Sequence, residues 1–474
     1  MLFTSLEFVL FFLPVVVIIN LLLPRKLQNI WLCAASIFFY AWGEPKFVFA
    51  MLASIIINYL FALILDVNRS RTALSRLILW TDILINLGIL FTFKYMNFTT
   101  SILHGINENI AVTNYILPIG ISFYTFQALS YVIDVYRGEK AQKNILYTGL
   151  YISFFPQLIA GPIVRYSEIK DQIDNRKMSF EKFSDGILRF LIGFNKKMLV
   201  ANILANAADA SFAAGENTVL MAWIGALCYT LQIYFDFSGY SDMAIGLAKL
   251  FGFDFHENFN YPYISGTVSE FWRRWHISLG HWFRDYVYFP LGGSRVSGKK
   301  RIVFNLMVVW LLTGIWHGAN TTFILWGIAY GVLISVEKTF EIPARLKNHR
   351  NISVLYRIFT MFAVIMGWVM FRSDDLHSAF GYMADMFGLR AGGLWSASDV
   401  FYLKEYGFFM IAGCILSFPV IKWMKEKLYS IKRMNEIGKS IIDSIFFLAN
   451  IALFLVGISY LVISAHNPFI YFNF

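Results

Sequence analysis

The chain has 474 residues, of which 58% are apolar and only 15% charged, where soluble domains carry about 25% charged residues. Its 48 Phe, 25 Tyr and 13 Trp and a mean hydropathy of +0.58 describe a polytopic membrane protein, because flat aromatic rings favour the bilayer boundary. This composition excludes a DNA-binding protein, a secreted disulfide scaffold and a disordered tail, and it turns the net charge of +10 into a question of loop charge.

A crossing helix needs about 20 mostly apolar residues. In chain order such runs fall at 2–23, 27–44, 46–66, 78–96, 115–136, 184–212, 218–236, 352–371, 404–421 and 440–463. The first has no basic flank and no A-x-A site, so it reads as a retained span rather than a cleaved signal. The run 146–164 contains Pro156, Gly161 and Pro162 and predicts a broken, re-entrant element. Such an element is tolerable only where protein or water satisfies the freed backbone groups. Two further apolar helices, 302–316 and 320–337, flank Trp316-His317-Gly318. The expected fold is an all-α polytopic membrane protein with about 11–12 transmembrane helices, one domain over residues 1–474.

Basic residues gather in 24–26, 67–77, 137–145, 165–183, 292–301, 338–350 and 422–439. Segments 97–114 and 213–217 contain none, and 372–403 only Arg372 and Arg390. The positive-inside rule puts the first set in the cytoplasm and both termini, with the tail 464–474, on the outer side. Cys33, Cys228 and Cys414 lie in apolar runs without a CxxC spacing and are expected as buried, inert thiols.

Polar groups at membrane depth are costly unless paired or hydrated, so three stretches stand out. Residues 231–243, LQIYFDFSGYSDM, place Asp236, Ser238, Tyr240 and Asp242 at the end of a predicted span. They read either as a hydrated helix end or as a polar cavity wall. Residues 269–293 are too charged to span and too aromatic for a plain loop. An interfacial amphipathic helix explains that mixture, with Phe271, Trp275, Trp282 and Tyr286 as its apolar face. Arg273 and Arg274, beside Trp272, also suit the phosphates and ring of an acyl-coenzyme A, since arginine pairs with phosphate in a bidentate way. The third is His317. A helix of 15 residues separates it from Lys299, Lys300 and Arg301, which places it about 22 Å beyond the cytoplasmic face. It reads as the apex of a hairpin, either a hydrogen-bonded structural residue or, since flanking Gly314, Gly318 and Asn320 open room for backbone or ligand to approach, part of a site.

The segments EFWRRWHISLGHWFRDYVYFPLGG (270–293) and LLTGIWHGANTTFILWG (311–327) resemble the membrane-bound O-acyltransferase family. Further support comes from LPIGISFYTFQALSYVIDVYRG (117–138), FFPQLIAGPIVRY (154–166) and FDFSGYSDMAIG (235–246). The similarity is to its bacterial branch, which holds alginate O-acetyltransferase and the D-alanyl transferase of teichoic acid synthesis. The resemblance implies a ring of helices around a thin layer pierced by a tunnel. It also implies an essential histidine at the WHG position, His317, with a second at His276. Imidazole suits the chemistry, because the acceptor hydroxyl must lose a proton near neutral pH. Trp272, Arg273, Arg274, Trp275, Asp236, Ser238, Tyr240, Trp316 and Asn320 are expected along the donor tunnel. The chain ends HNPFIYFNF, which reads as an aromatic interfacial anchor. It also resembles the FxYFxF ending of this branch, where Tyr471 would receive the acyl group as a covalent relay.

The function so implied is transfer of an acetyl group from a cytoplasmic thioester, acetyl-CoA or an acyl-phosphopantetheine carrier, across a bacterial cytoplasmic membrane. A separate extracytoplasmic acetyltransferase would then modify a polysaccharide. No permanently bound cofactor, metal or nucleic acid is expected; His276 and His281 lack the spacing of a zinc site. Alternatives are D-alanyl or other acyl transfer from a carrier protein and, in a different class, a flippase for a lipid-linked sugar.

Overall fold

A computed structural model describes residues 1–390, 392–430 and 435–463; Tyr471 and the tail lie outside them. The described residues form helices joined by turns and loops, without strands. Five helices are long and apolar enough to cross a membrane: Val48–Val67, Thr72–Lys94, Val219–Leu250, Arg350–Arg372 and Glu436–Ile463. A sixth candidate, Ala397–Leu416 with Val420–Tyr429, bends by 58°. Other expected spans are realised as shorter or interrupted helices, such as Phe8–Leu22 and Ile121–Tyr136. Apolarity marks which segments avoid water. Helix length follows from where proline, glycine and neighbouring segments interrupt the backbone.

The chain forms two compact units: Met1–Phe190 with Met243–His256, and Leu191–Asp242 with Glu257–Phe474. In the first, Phe8, Phe12, Phe39 and Phe155 interlock with ring centroids 5.4–6.2 Å apart. The expected break near Pro156 is present, as helices Ile145–Ser153 and Phe155–Leu158. Its backbone is satisfied by protein: Ser36 Oγ accepts from Phe155 N at 3.1 Å, and Tyr151 OH donates to Val164 O at 3.0 Å.

The site residues lie in the second unit, and six elements position them. They are α1 (Val219–Leu250), α2 (Val268–Arg274), α3 (Ile277–Phe283), α4 (Lys299–His317), α5 (Thr321–Thr339) and α6 (Arg350–Arg372). Two expectations are corrected here. The polar run 231–243 is not a helix end: α1 continues to Leu250, because its polar side chains are buried against protein rather than released to water. Residues 269–293 do not form one interfacial helix either. They break at Trp275-His276 into two seven-residue helices, and Phe271, Trp275 and Trp282 are buried. A third correction concerns the thiols: Cys33 and Cys228 are buried, but Cys414 is exposed. It lies on a bent, apolar helix pair that lipid can cover.

Candidate active site

Helices α4 and α5 form the predicted hairpin, and glycines set its tightness. A Cβ on Gly314 would lie 2.4 Å from the Phe323 carbonyl oxygen, and one on Gly327 would lie 2.5 Å from that of Trp310. Side chains are absent where the backbones touch, so the two helices approach closely. At the apex Asn320 caps α5, accepting from Thr322 N at 3.1 Å, and donates to Asp374 O at 2.5 Å.

His317 is the last residue of α4. Its ring is 5.2 Å from Trp326 of α5, 5.1 Å from Phe371 of α6 and 4.9 Å from Trp316, each edge-on. The 19 residues of α4 extend about 28 Å. His317 therefore lies near the end of the hairpin opposite Lys299, level with the last turn of α6. It is buried by protein and does not face lipid.

His276 reaches the same neighbourhood through a backbone device. Its φ of 44° and ψ of 54° put it in the left-handed region, which histidine enters more readily than bulky or branched residues. Extended Trp275 ends α2, and His276 redirects the chain into α3. Its ring meets Phe237 of α1 edge-on at 4.7 Å and Trp316 at 6.1 Å. Trp316 thus touches both imidazoles. Complete burial pushes His276 well below the usual histidine range, because a charged ring cannot be solvated there; the imidazole is neutral.

Sequence reasoning missed Asn258, which sits in an unremarkable polar-aromatic loop. It is fully buried. Its Oδ1 lies 3.1 Å from His276 Nδ1 and accepts from Ser278 N at 3.2 Å and Ser278 Oγ at 2.9 Å; its Nδ2 donates to Ser241 Oγ at 3.0 Å. With Oδ1 accepting, Nδ1 of His276 carries the hydrogen and Nε2 carries the lone pair. Replacing Asn258 with Asp puts a carboxylate on Nδ1, which favours the imidazolium. If neutral His276 is the active form, the acid limb of the pH–rate profile moves up by about 1 unit or more. A profile superimposable on wild type removes the tautomer assignment.

The remaining expected residues divide into three groups. Trp272 and Trp275 are packing residues. Trp272 sits 4.9 Å from Trp310 and Tyr330 and 5.2 Å from Trp326, while Trp275 sits 4.7 Å from Trp368. Arg274 is committed to Glu270 at 2.9 Å and to the Asn260 carbonyl at 3.0 Å, whereas Arg273 is exposed and forms no ion pair among the described residues. On α1 the face toward His276 carries Tyr234, Phe237 and Ser241. Asp236 and Ser238 stand to either side of it, about 100° away per residue. Asp236 pairs with buried Lys197 at 2.5 Å, and Asp242 with Lys196 at 2.6 Å. Tyr240 is buried on the same helix. No group of three His, Cys, Asp or Glu is placed to hold a metal among the described residues.

Two buried imidazoles sharing one indole in an aromatic, water-poor setting can move a proton between hydroxyl and thiol. Residues 121–373, which include both, match the model of the membrane-bound O-acyltransferase family. The chain belongs to that family and is a multi-pass membrane O-acyltransferase, which displaces the flippase alternative. Among its relatives, it is 42% identical over 427 residues to the probable alginate O-acetylase AlgI of Azotobacter vinelandii, covering 89% of this chain and 84% of that one. It is 33% identical over 517 residues to the peptidoglycan O-acetyltransferase of Helicobacter pylori, covering 100% and 98%. It is also 30% identical over 281 residues to the teichoic acid D-alanyltransferase of Bacillus subtilis, covering 56% and 71%.

Proposed function

We propose that this O-acyltransferase takes acetyl from a cytoplasmic thioester, acetyl-CoA or an acyl-phosphopantetheine carrier, and delivers it across the bacterial cytoplasmic membrane for O-acetylation of an extracytoplasmic polysaccharide. The observation that carries this reading is the packing of both His317 and His276 against Trp316. Relatives named as O-acetylating enzymes match over most of the chain, whereas the D-alanyltransferase matches over 56% of it, which favours acetyl over D-alanyl.

His317 acts as general base, with His276 orienting the donor or assisting proton movement. The base takes the acceptor hydroxyl proton, the oxygen attacks the thioester carbonyl, the C–S bond breaks, and the proton passes from imidazolium to the departing thiolate. The water-poor surroundings limit wasteful hydrolysis. Arg273 is the cation available to a donor phosphate. The acceptor hydroxyl is that of Tyr471, from which a separate outer-side acetyltransferase collects acetyl for the polymer, with both termini on that side.

The test uses full-length protein in proteoliposomes supplied with [14C]acetyl-CoA on the side of the basic loops. Label is expected on the C-terminal peptide in wild type and is expected to vanish in Tyr471→Phe. Full polymer acetylation by Tyr471→Phe in cells reduces the tail to an anchor and ends the relay.

A further inference from the structure

Glu337, near the end of α5, reads in the sequence as a charge at the cytoplasmic end of the hairpin. In the structure it is fully buried. Its Oε1 accepts from Val268 N and its Oε2 from Ser269 N, both at 2.7 Å, and Tyr356 OH of α6 donates to Oε1 at 3.1 Å. Val268 and Ser269 are the first two residues of α2, whose N–H groups have no partner within the helix. Thr267 Oγ accepts from the third, Glu270 N, at 3.1 Å. The start of α2 is thereby fully capped. Two of its three bonds come from a residue 69 and 68 positions away rather than from a local side chain.

The consequence follows from the connectivity. Glu337 is on the hairpin that carries His317, and α2 is the arm that ends in His276. Between them Trp272 of the arm is wedged against Trp310, Trp326 and Tyr330 of the hairpin. From Val268 to Arg274 the helix rises about 9 Å, so a tilt of about 6° at the capped end moves its far end, and His276 beyond it, by about 1 Å. A displacement of that size at a reacting centre costs about 10²-fold in rate.

We propose that Glu337 is a positioning residue for acyl transfer: its carboxylate fastens the arm bearing His276 to the hairpin bearing His317 and so sets the spacing of the two imidazoles. This rests on the reading of both histidines given above. A carboxylate suits the task, since both its oxygens accept and neither donates. An amide in its place turns one acceptor into a donor facing an N–H.

The experiment measures single-turnover thiol release from acetyl-CoA as purified full-length protein is acylated, with thermal midpoints recorded alongside. Glu337→Gln is expected to lower the saturated rate of that release by about 10–100-fold with the half-saturating acetyl-CoA concentration within about twofold; Glu337→Asp is expected to recover part of the loss. In a His276→Ala background Glu337→Gln is expected to cause no further loss, because a residue acting through His276 has nothing left to position. Val268→Pro approaches the same bond from the other side. It removes one donor at the first helical position, where proline is tolerated, after a residue that is already extended. It is expected to mimic Glu337→Gln even if that variant folds poorly. Equal losses in the presence and absence of His276, or losses that track the folded fraction alone, overturn the proposal. If His276→Ala and His317→Ala lose activity while Glu337→Gln and Val268→Pro do not, Glu337 alone loses its role. If His276→Ala is fully active, the reading of the site falls and this inference with it.

Discussion

Replacing His317 with alanine is expected to reduce acyl transfer by about 10²–10⁴-fold, the usual range for loss of a positioned general base, without dissolving the fold. The second half of that expectation comes from packing. The ring fills a pocket between Trp326, Phe371 and Trp316, and its loss leaves a void lined by large rigid rings. Such voids cost stability, but none of these neighbours depends on the imidazole for its own place: Trp326 also packs on Trp272 and Tyr330. Thiol release from acetyl-CoA, read against size-exclusion behaviour and thermal midpoint, separates the two effects. A well-folded His317→Ala protein that retains more than about a tenth of wild-type turnover contradicts the general-base role.

Gly314→Ala is expected to be a strongly damaging small substitution in the hairpin. The new methyl would meet the Phe323 carbonyl oxygen at 2.4 Å and Gly327 Cα at 3.2 Å, both backbone atoms that can yield only by parting the helices. Overpacking of this kind costs about 1–3 kcal/mol. Its functional cost is larger, because parting α4 from α5 carries His317 away from Trp326, and about 1 Å there is worth about 10²-fold. Gly331→Ala is the matched control. Its methyl would meet Met307 Sδ and Trp310 Cβ at 3.0 Å, and a flexible methionine can move aside. Thermal midpoint and turnover should fall steeply in the first variant and mildly in the second. Equal effects would show that the close backbone contact is not what holds the apex.

The capped arm and the glycine-lined hairpin together explain how a short, strained segment can serve a site. His276 occupies a left-handed backbone conformation of a kind that persists only where surrounding contacts over-determine it. Here Asn258 and Ser278 hold one side, Phe237 and Trp316 the ring, and Glu337 the far end of the helix leading to it.

The sequence by itself determined the solvent of each segment and, through that, the class of fold. Apolar runs and the prolines around 156 marked the helices and the broken element. Two helix-length runs closed by charges made the hairpin and the position of His317 at its apex legible. Hidden from it were pairings between distant residues: Asn258 with His276, Glu337 with the start of α2, and Lys197 with Asp236. It left Asp236 as either a hydrated helix end or a cavity wall, because composition reports only whether a side chain avoids water on average. Whether a polar group lies in water or against a partner depends on which backbones approach one another. That is decided by glycine contacts such as Gly314 on Gly327 and by one residue's left-handed turn, and both exist only once the chain has folded.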